Sequence, residues 1–171
     1  MRYFSFIILL LLSFSCTSVS QEKGDTVKAV SDTIISNAND SLLPHRITLL
    51  FAGDLMQHQG QINAARTPAG YDYSDWFKFV KEEIGRADLA IANLEVTLGG
   101  KPYKGYPAFS APDEYLSAIR EAGFNVLITA NNHCLDRGKK GLERTILMLD
   151  SLRIPYAGTY TNAETREQRY P

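Results

Sequence analysis

Cysteine is nearly absent: Cys16 and Cys134 are the only two in the chain. A disulfide framework is therefore excluded, because Cys16 falls in an N-terminal targeting segment and Cys134 would be left alone. Charge of one sign is lacking as well, with 18 Lys and Arg against 19 Asp and Glu and a pI near 6.3. No basic field exists to hold a polyanionic nucleic acid, so nucleic acid is set aside as a partner. The apolar run at residues 4–12 falls short of the ~20 residues a spanning helix needs. Histidine is rare, with only His45, His58 and His133, and none follows His133. No solenoid-type internal repeat is present.

Arg2 followed by the run at 4–12 has the build of a secretory signal. Leu12-Ser13-Phe14-Ser15-Cys16 is similar to a bacterial lipobox, with a small residue before the cysteine but Ser13 where Leu is usual. Two outcomes stay open. Lipidation at Cys16 gives a membrane-anchored lipoprotein of the cell envelope, and simple cleavage gives a periplasmic or secreted protein. Either exports the chain. Residues 17–45 contain no Phe, Tyr or Trp and are rich in Ser, Thr, Asp and Asn, so they read as a flexible polar tether. His45, at its end, reads as a solvated loop residue. Signal (1–16), tether (17–45) and a folded domain (46–171) are the expected divisions.

Within the domain the period of apolar residues alternates. Residues 47–52, 88–92 and 125–130 are short apolar runs of strand length. Ser74 or Asp75 is placed to cap a helix carrying Trp76, Val80 and Ile84 on one face. Pro112 at a start and Gly123 just past an end bracket a second helix. A third is expected from about Gly138 to Leu152, with Leu142, Ile146 and Leu149 on one face. Ile154-Pro155-Tyr156 opens a fourth short strand, and the polar stretch 162–171 is expected to add no element. The β-α-β-α-β-α order predicts an α/β fold with right-handed crossovers and a mainly parallel sheet.

Each of the three main runs ends in polar groups: Gly53-Asp54, Asn93-Leu94-Glu95 and Asn131-Asn132-His133. Parallel neighbours would bring all three to one carboxyl edge, where open α/β sheets bind ligands. Asp54 offers a hard oxygen donor to Mg, Mn, Fe or Zn, or else serves a turn. Asn93 and Glu95 can point the same way in an extended segment, with Leu94 turned inward. Asn131, Asn132 and His133 at a strand tip have little use in packing; an amide oxygen can ligate a metal, and imidazole can ligate or deliver a proton. Asp136 either orients His133 or caps the helix beginning near Gly138, and the two roles are compatible. Cys134 reads as a small buried filler. The Gly/Pro-rich loop at 99–107 carries Lys101, Lys104, Tyr103 and Tyr106, and either meets an anionic polymer or forms a long packed connection.

Phe51-Ala52-Gly53-Asp54-Leu55-Met56, Ala92-Asn93-Leu94-Glu95 and Ala130-Asn131-Asn132-His133-Cys134-Leu135-Asp136-Arg137-Gly138 resemble the three N-terminal signatures of the CapA-type poly-γ-glutamate capsule proteins, relatives of the calcineurin-like metallophosphoesterases. The resemblance covers about residues 46–171. It implies the N-terminal part of a metallophosphoesterase-like α/β/β/α sandwich with a site for one or two divalent ions. By similarity Asp54, Glu95 and Asn132 would be metal ligands, with Asn93 and Asn131 toward substrate and His133 assisting the leaving group. A two-metal clamp would activate water for in-line displacement. Two departures stand out: the first signature carries Met56 where the relatives usually have His, leaving His58 as a substitute ligand, and their later metal histidines have no counterpart here. The resemblance thus implies an exported protein that processes or handles an anionic surface polymer, as a metal-dependent hydrolase of phosphoester or γ-glutamyl bonds. A polymer-binding component without turnover, or an inactive fragment, are the alternatives.

Overall fold

The apolar runs do form the central strands, and the segments between them supply helices to one side of the sheet. The computed structural model describes residues 46–169. The signal, lipidation and tether assignments for residues 1–45 lie outside the described residues. The elements are β1 (Leu49–Leu55), α1 (Gln59–Ala64), β2 (Arg66–Thr67), β3 (Gly70–Tyr71), α2 (Lys81–Gly85), β4 (Leu89–Leu94), α3 (Asp113–Ala122), β5 (Val126–Ile128), α4 (Gly138–Ser151), β6 (Tyr156–Ala157) and α5 (Ala163–Arg169). Strands β1, β4, β5 and β6 lie side by side in that order, each parallel to its neighbour. The short hairpin β2–β3 stands apart as a two-stranded antiparallel pair. The fold is α/β with a mainly parallel sheet, as expected for the N-terminal part of a metallophosphoesterase-like domain.

Alternation along the strands divides the sheet into two faces. Ala90, Ala92 and Leu94 of β4, Leu127 of β5 and Tyr156 of β6 are buried on one face, with Tyr115, Leu116 and Ile119 of α3 and Ile146 and Leu149 of α4 in the same core. On the other face Leu49, Phe51 and Leu89 are exposed, Phe51 by 71%. Helix α3 starts at Pro112, whose φ of −60° suits a helix entry, has Asp113 and Glu114 in its first turn, and ends at Gly123. Gly123 adopts a φ of 110°, and its N–H bonds the Arg120 carbonyl at 3.0 Å, the left-handed stop that favours glycine.

Three expectations need correction. The helix placed from Ser74 is only Lys81–Gly85; residues 74–80 are successive turns, and of Trp76, Val80 and Ile84 only Ile84 is buried. The carboxylate of Asp72 accepts the Ser74 N–H at 2.9 Å, and Trp76 N–H bonds Tyr73 O at 3.1 Å, so tight turns take up the backbone groups a longer helix would use. Strand β1 runs on through Gly53-Asp54 to Leu55, with a register shift between Phe51 and Asp54, so Asp54 lies within the strand and not past its tip. The stretch after β6 is not structureless: α5 forms there, with the Asn162 side chain accepting the Thr165 N–H at 2.8 Å at its start.

Candidate functional site

The parallel register brings the first two polar clusters together: Asp54 pairs with Asn93 across β1 and β4. The Asn93 amide nitrogen donates to Asp54 Oδ1 and to Glu95 Oε2, both at 2.8 Å. Asn93 and Glu95 therefore do point the same way, while Leu94 between them is buried. The third cluster joins through Asn131, whose amide donates to Asn93 Oδ1 at 3.1 Å and to the Leu94 carbonyl at 3.0 Å. These partners fix both amides: each presents its NH2 to oxygens. Asn131 Oδ1 in turn accepts the His133 N–H at 3.0 Å, starting the turn that carries the imidazole. Three strand ends are thus bound into one polar chain, Glu95/Asp54–Asn93–Asn131–His133.

His133 is held from two further sides. Its Nδ1 lies 2.8 Å from Asp136 Oδ2, with the side chains only 13% and 11% exposed. The same Asp136 oxygen accepts the Phe109 N–H at 2.7 Å. The Phe109 ring meets the imidazole edge-on, centroids 4.7 Å apart, and Tyr106 stands 6.5 Å away. A carboxylate on Nδ1 fixes the tautomer and leaves Nε2 as the nitrogen that can take or give a proton. Asp136 does not cap α4: the capping position is Arg137, without a side-chain cap bond.

The remaining sequence-chosen residues are distributed as follows. Asn132 is exposed beside Asn131. His58 is the residue before α1; its N–H bonds Gln61 Oε1 at 2.7 Å, and its ring packs on Phe109 at 5.1 Å, on a ring that also contacts His133. Lys101 and Lys104 are both exposed; the Lys104 backbone pairs with Ser110. Cys134 is a half-buried free thiol. Among the described residues, no three His, Cys, Asp or Glu side chains converge on a point that could hold a metal ion, so neither His58 nor His133 completes a cluster with Asp54 and Glu95. What Asp54 and Glu95 do form is a pair of carboxylates converging on the Asn93 amide, oxygen donors of the hard class.

Phe109 is not among the residues the sequence marks for the site, whereas Tyr106 belongs to the Gly/Pro-rich loop that it does mark. Phe109 is fully buried and links His58, His133 and Asp136, yet it sits in a loop with no periodicity. That loop is an ordered wall. Gly99 packs on Arg137, where a Cβ would come 2.6 Å from Cγ; Arg137 donates to the Pro102 carbonyl at 2.9 Å; and Gly105 lies against the backbone at His58 and Gln59. Thr145 of α4 accepts the Leu98 N–H at 2.8 Å, fixing the loop's entry.

Comparison with known proteins shows the family. The family model for "Bacterial capsule synthesis protein PGA_cap" matches residues 48–170. The capsule biosynthesis protein CapA of Bacillus anthracis is 30% identical over 123 residues, covering 68% of this chain and 29% of the relative. The uncharacterized protein y4sH of Sinorhizobium fredii is 31% identical over 125 residues, covering 68% of this chain and 26% of the relative. The chain spans less than a third of the length of these curated relatives. The match runs through all three polar strand ends and the His133–Asp136 pair, and on it the chain belongs to the bacterial capsule synthesis protein (PGA_cap) family.

Proposed function

We propose that this is an exported cell-envelope protein that processes a capsule polymer of the poly-γ-glutamate kind, using His133 as a proton donor at a metal-assisted hydrolytic site. The observation that carries the reading is the His133–Asp136 pair at 2.8 Å, nearly buried and joined through Asn131 and Asn93 to two carboxylates. No packing need explains such a chain of polar groups at a sheet edge. Asp54, Glu95 and Asn132 would hold the divalent cation, which when bound would polarise the scissile phosphoryl or carbonyl oxygen and acidify water. Asp136 keeps the Nδ1 proton in place, so that Nε2 can serve the leaving group. Asn93 holds both carboxylates in position, and Asn131 orients the turn before His133. Phe109, fully buried, covers one edge of the imidazole, and the exposed Tyr106 ring stands beyond it.

Export rests on the signal-like N-terminus, and anchoring would use a lipid on Cys16. Among the described residues no helix is long and apolar enough to cross a membrane. A polymer-holding role without turnover is the second reading, favoured by a ligand set that, among the described residues, counts two carboxylates and no third acidic, His or Cys partner. The deciding experiment is metal content, together with hydrolysis of a generic phosphodiester and of a γ-linked glutamate polymer, by wild type, Asp54→Asn and His133→Ala. Bound divalent metal and turnover reduced ~10²-fold or more in both variants is the expected result. Equal background rates in all three would leave only the holding role.

A further inference from the structure

The hairpin β2–β3 and the first part of the 99–110 loop face each other across a cleft of about 860 Å³, lined by Arg66, Pro68, Tyr71, Lys101, Pro102 and Tyr103 among others. This is the volume range of ligand sites, and it belongs to none of the residues at the strand ends. Arg66 and Lys101 are exposed, and neither has an ion-pair partner among the described residues. Tyr71 and Tyr103 meet edge-to-face at 5.2 Å, and the Arg66 guanidinium stands 6.0 Å from the Tyr71 ring. Of the nearby acids, Asp113 is already held by both guanidinium nitrogens of Arg144 at 2.8 and 2.7 Å, and Glu114 approaches Gly70. Arg66 and Lys101 are thus lining cations whose charge no ion pair meets among the described residues.

We infer that this cleft is a binding subsite for an acidic polypeptide chain, with Arg66 and Lys101 meeting carboxylates on successive residues and the tyrosine pair contacting the methylenes between them. Cations on both walls suit a ligand with repeated anions, and an aromatic surface between them suits one whose anions are separated by apolar carbon. The wall is preorganised, because Arg137 anchors Pro102 and Gly105 is seated on Gln59, so little ordering is lost on binding. The same loop then reaches the histidine: Tyr103 and Tyr106 are three residues apart in sequence, at most ~11 Å of extended backbone, and Tyr106 borders His133. An occupant of the cleft is held next to the dyad. The inference rests on the polymer-processing reading and names where the polymer is gripped.

The test is equilibrium binding of a dye-labelled γ-linked glutamate oligomer to the full chain, by fluorescence anisotropy at several salt concentrations. Wild type should bind with an affinity that falls as salt rises. Arg66→Gln/Lys101→Gln should bind about tenfold more weakly or worse, with an unchanged thermal midpoint showing that the fold is kept. Lys140→Gln, at an exposed cation of α4 outside the cleft, should bind as wild type does. No binding by wild type, equal affinity in the double variant, or tighter capture of polyphosphate or of a neutral glucan than of the glutamate oligomer would each overturn the inference. Failure of the two readings can be told apart. Wild type that binds the oligomer but releases no product removes the hydrolase and leaves the cleft; wild type that cleaves a small phosphodiester but ignores the oligomer does the reverse.

Discussion

At the scale of single residues, Asp136 carries two jobs on one oxygen: it holds His133 Nδ1 and the Phe109 N–H. Asp136→Asn replaces a charged acceptor by an amide that can turn its NH2 toward the imidazole, which would place the proton on the wrong nitrogen. Turnover should fall ~10–100-fold with a displaced pH–rate profile, while stability drops by about 1–2 kcal/mol from the weakened bond to Phe109. A pH profile of unchanged shape would show that Asp136 only supports the loop. Gly105 is a second sensitive point, since a Cβ there would meet the backbone nitrogen of Gln59. Gly105→Ala should cost about 1–3 kcal/mol in chemical denaturation and disturb the loop that carries Phe109. The sequence showed His133, Asp54 and Glu95 through their position after apolar runs. It gave no sign of Phe109, because a loop residue earns its contacts from three-dimensional neighbours and not from spacing.

At the scale of elements, α3 and α4 are tied through the two-pronged pair Arg144–Asp113, with the side chains 33% and 32% exposed, and Arg144 also reaches the Leu98 carbonyl. A double-mutant cycle of Arg144→Met and Asp113→Asn should give a coupling of about 1 kcal/mol, above that of an ordinary surface pair because of the paired geometry. A coupling near zero would mean the helices are held by their apolar faces alone. Between α3 and the turns at 74–80 lies an aromatic cluster of Tyr73, Trp76, Phe77, Tyr115 and Phe124. Burial pushes the Tyr115 phenol up to about 12, with the Gln57 side chain acting the other way, and burial also raises Tyr73. Ionisation is thus easier in the unfolded chain. The tyrosine contribution is intact below pH ~10, the unfolded value, and is lost as pH rises toward the folded one. Stability should fall by on the order of 2 kcal/mol from Tyr115 between about pH 10 and 12, and Tyr115→Phe should flatten that decline in denaturant titrations taken across this range. The order of helices and strands was legible because apolar periodicity reports it. Helix α1 and the β2–β3 hairpin were not, being too short to show a period, and the 74–80 turns overrode a helical spacing through the Asp72–Ser74 bond.

At the scale of the whole molecule, a parallel sheet is covered by helices on one face and shows Leu49, Phe51 and Leu89 on the other. Parallel sheets are normally covered on both faces, and the sandwich implied by the family resemblance would lay a second sheet here. Exposed as it is, the row should drive self-association of this chain. Phe51→Lys should lower light scattering at high concentration while changing unfolding free energy by no more than ~0.5 kcal/mol, as expected for an exposed position. Unchanged scattering would show that this face is not the sticky one. The sequence by itself determined the strand and helix order, the parallel sheet and the three polar clusters, because hydrophobic period and chain order are local properties that survive without neighbours. Only the tertiary structure decided that Asn93 and Asn131 hold the carboxylates and the histidine in one chain, that Asp136 serves His133 and not α4, and that Arg66 and Lys101 line one cleft. The bonds that join the strand ends span 38 and 39 positions, and the His133–Asp136 pair, though only three positions apart, takes its place from the surrounding loops; strand register and loop packing set both. No spacing rule along the chain encodes either.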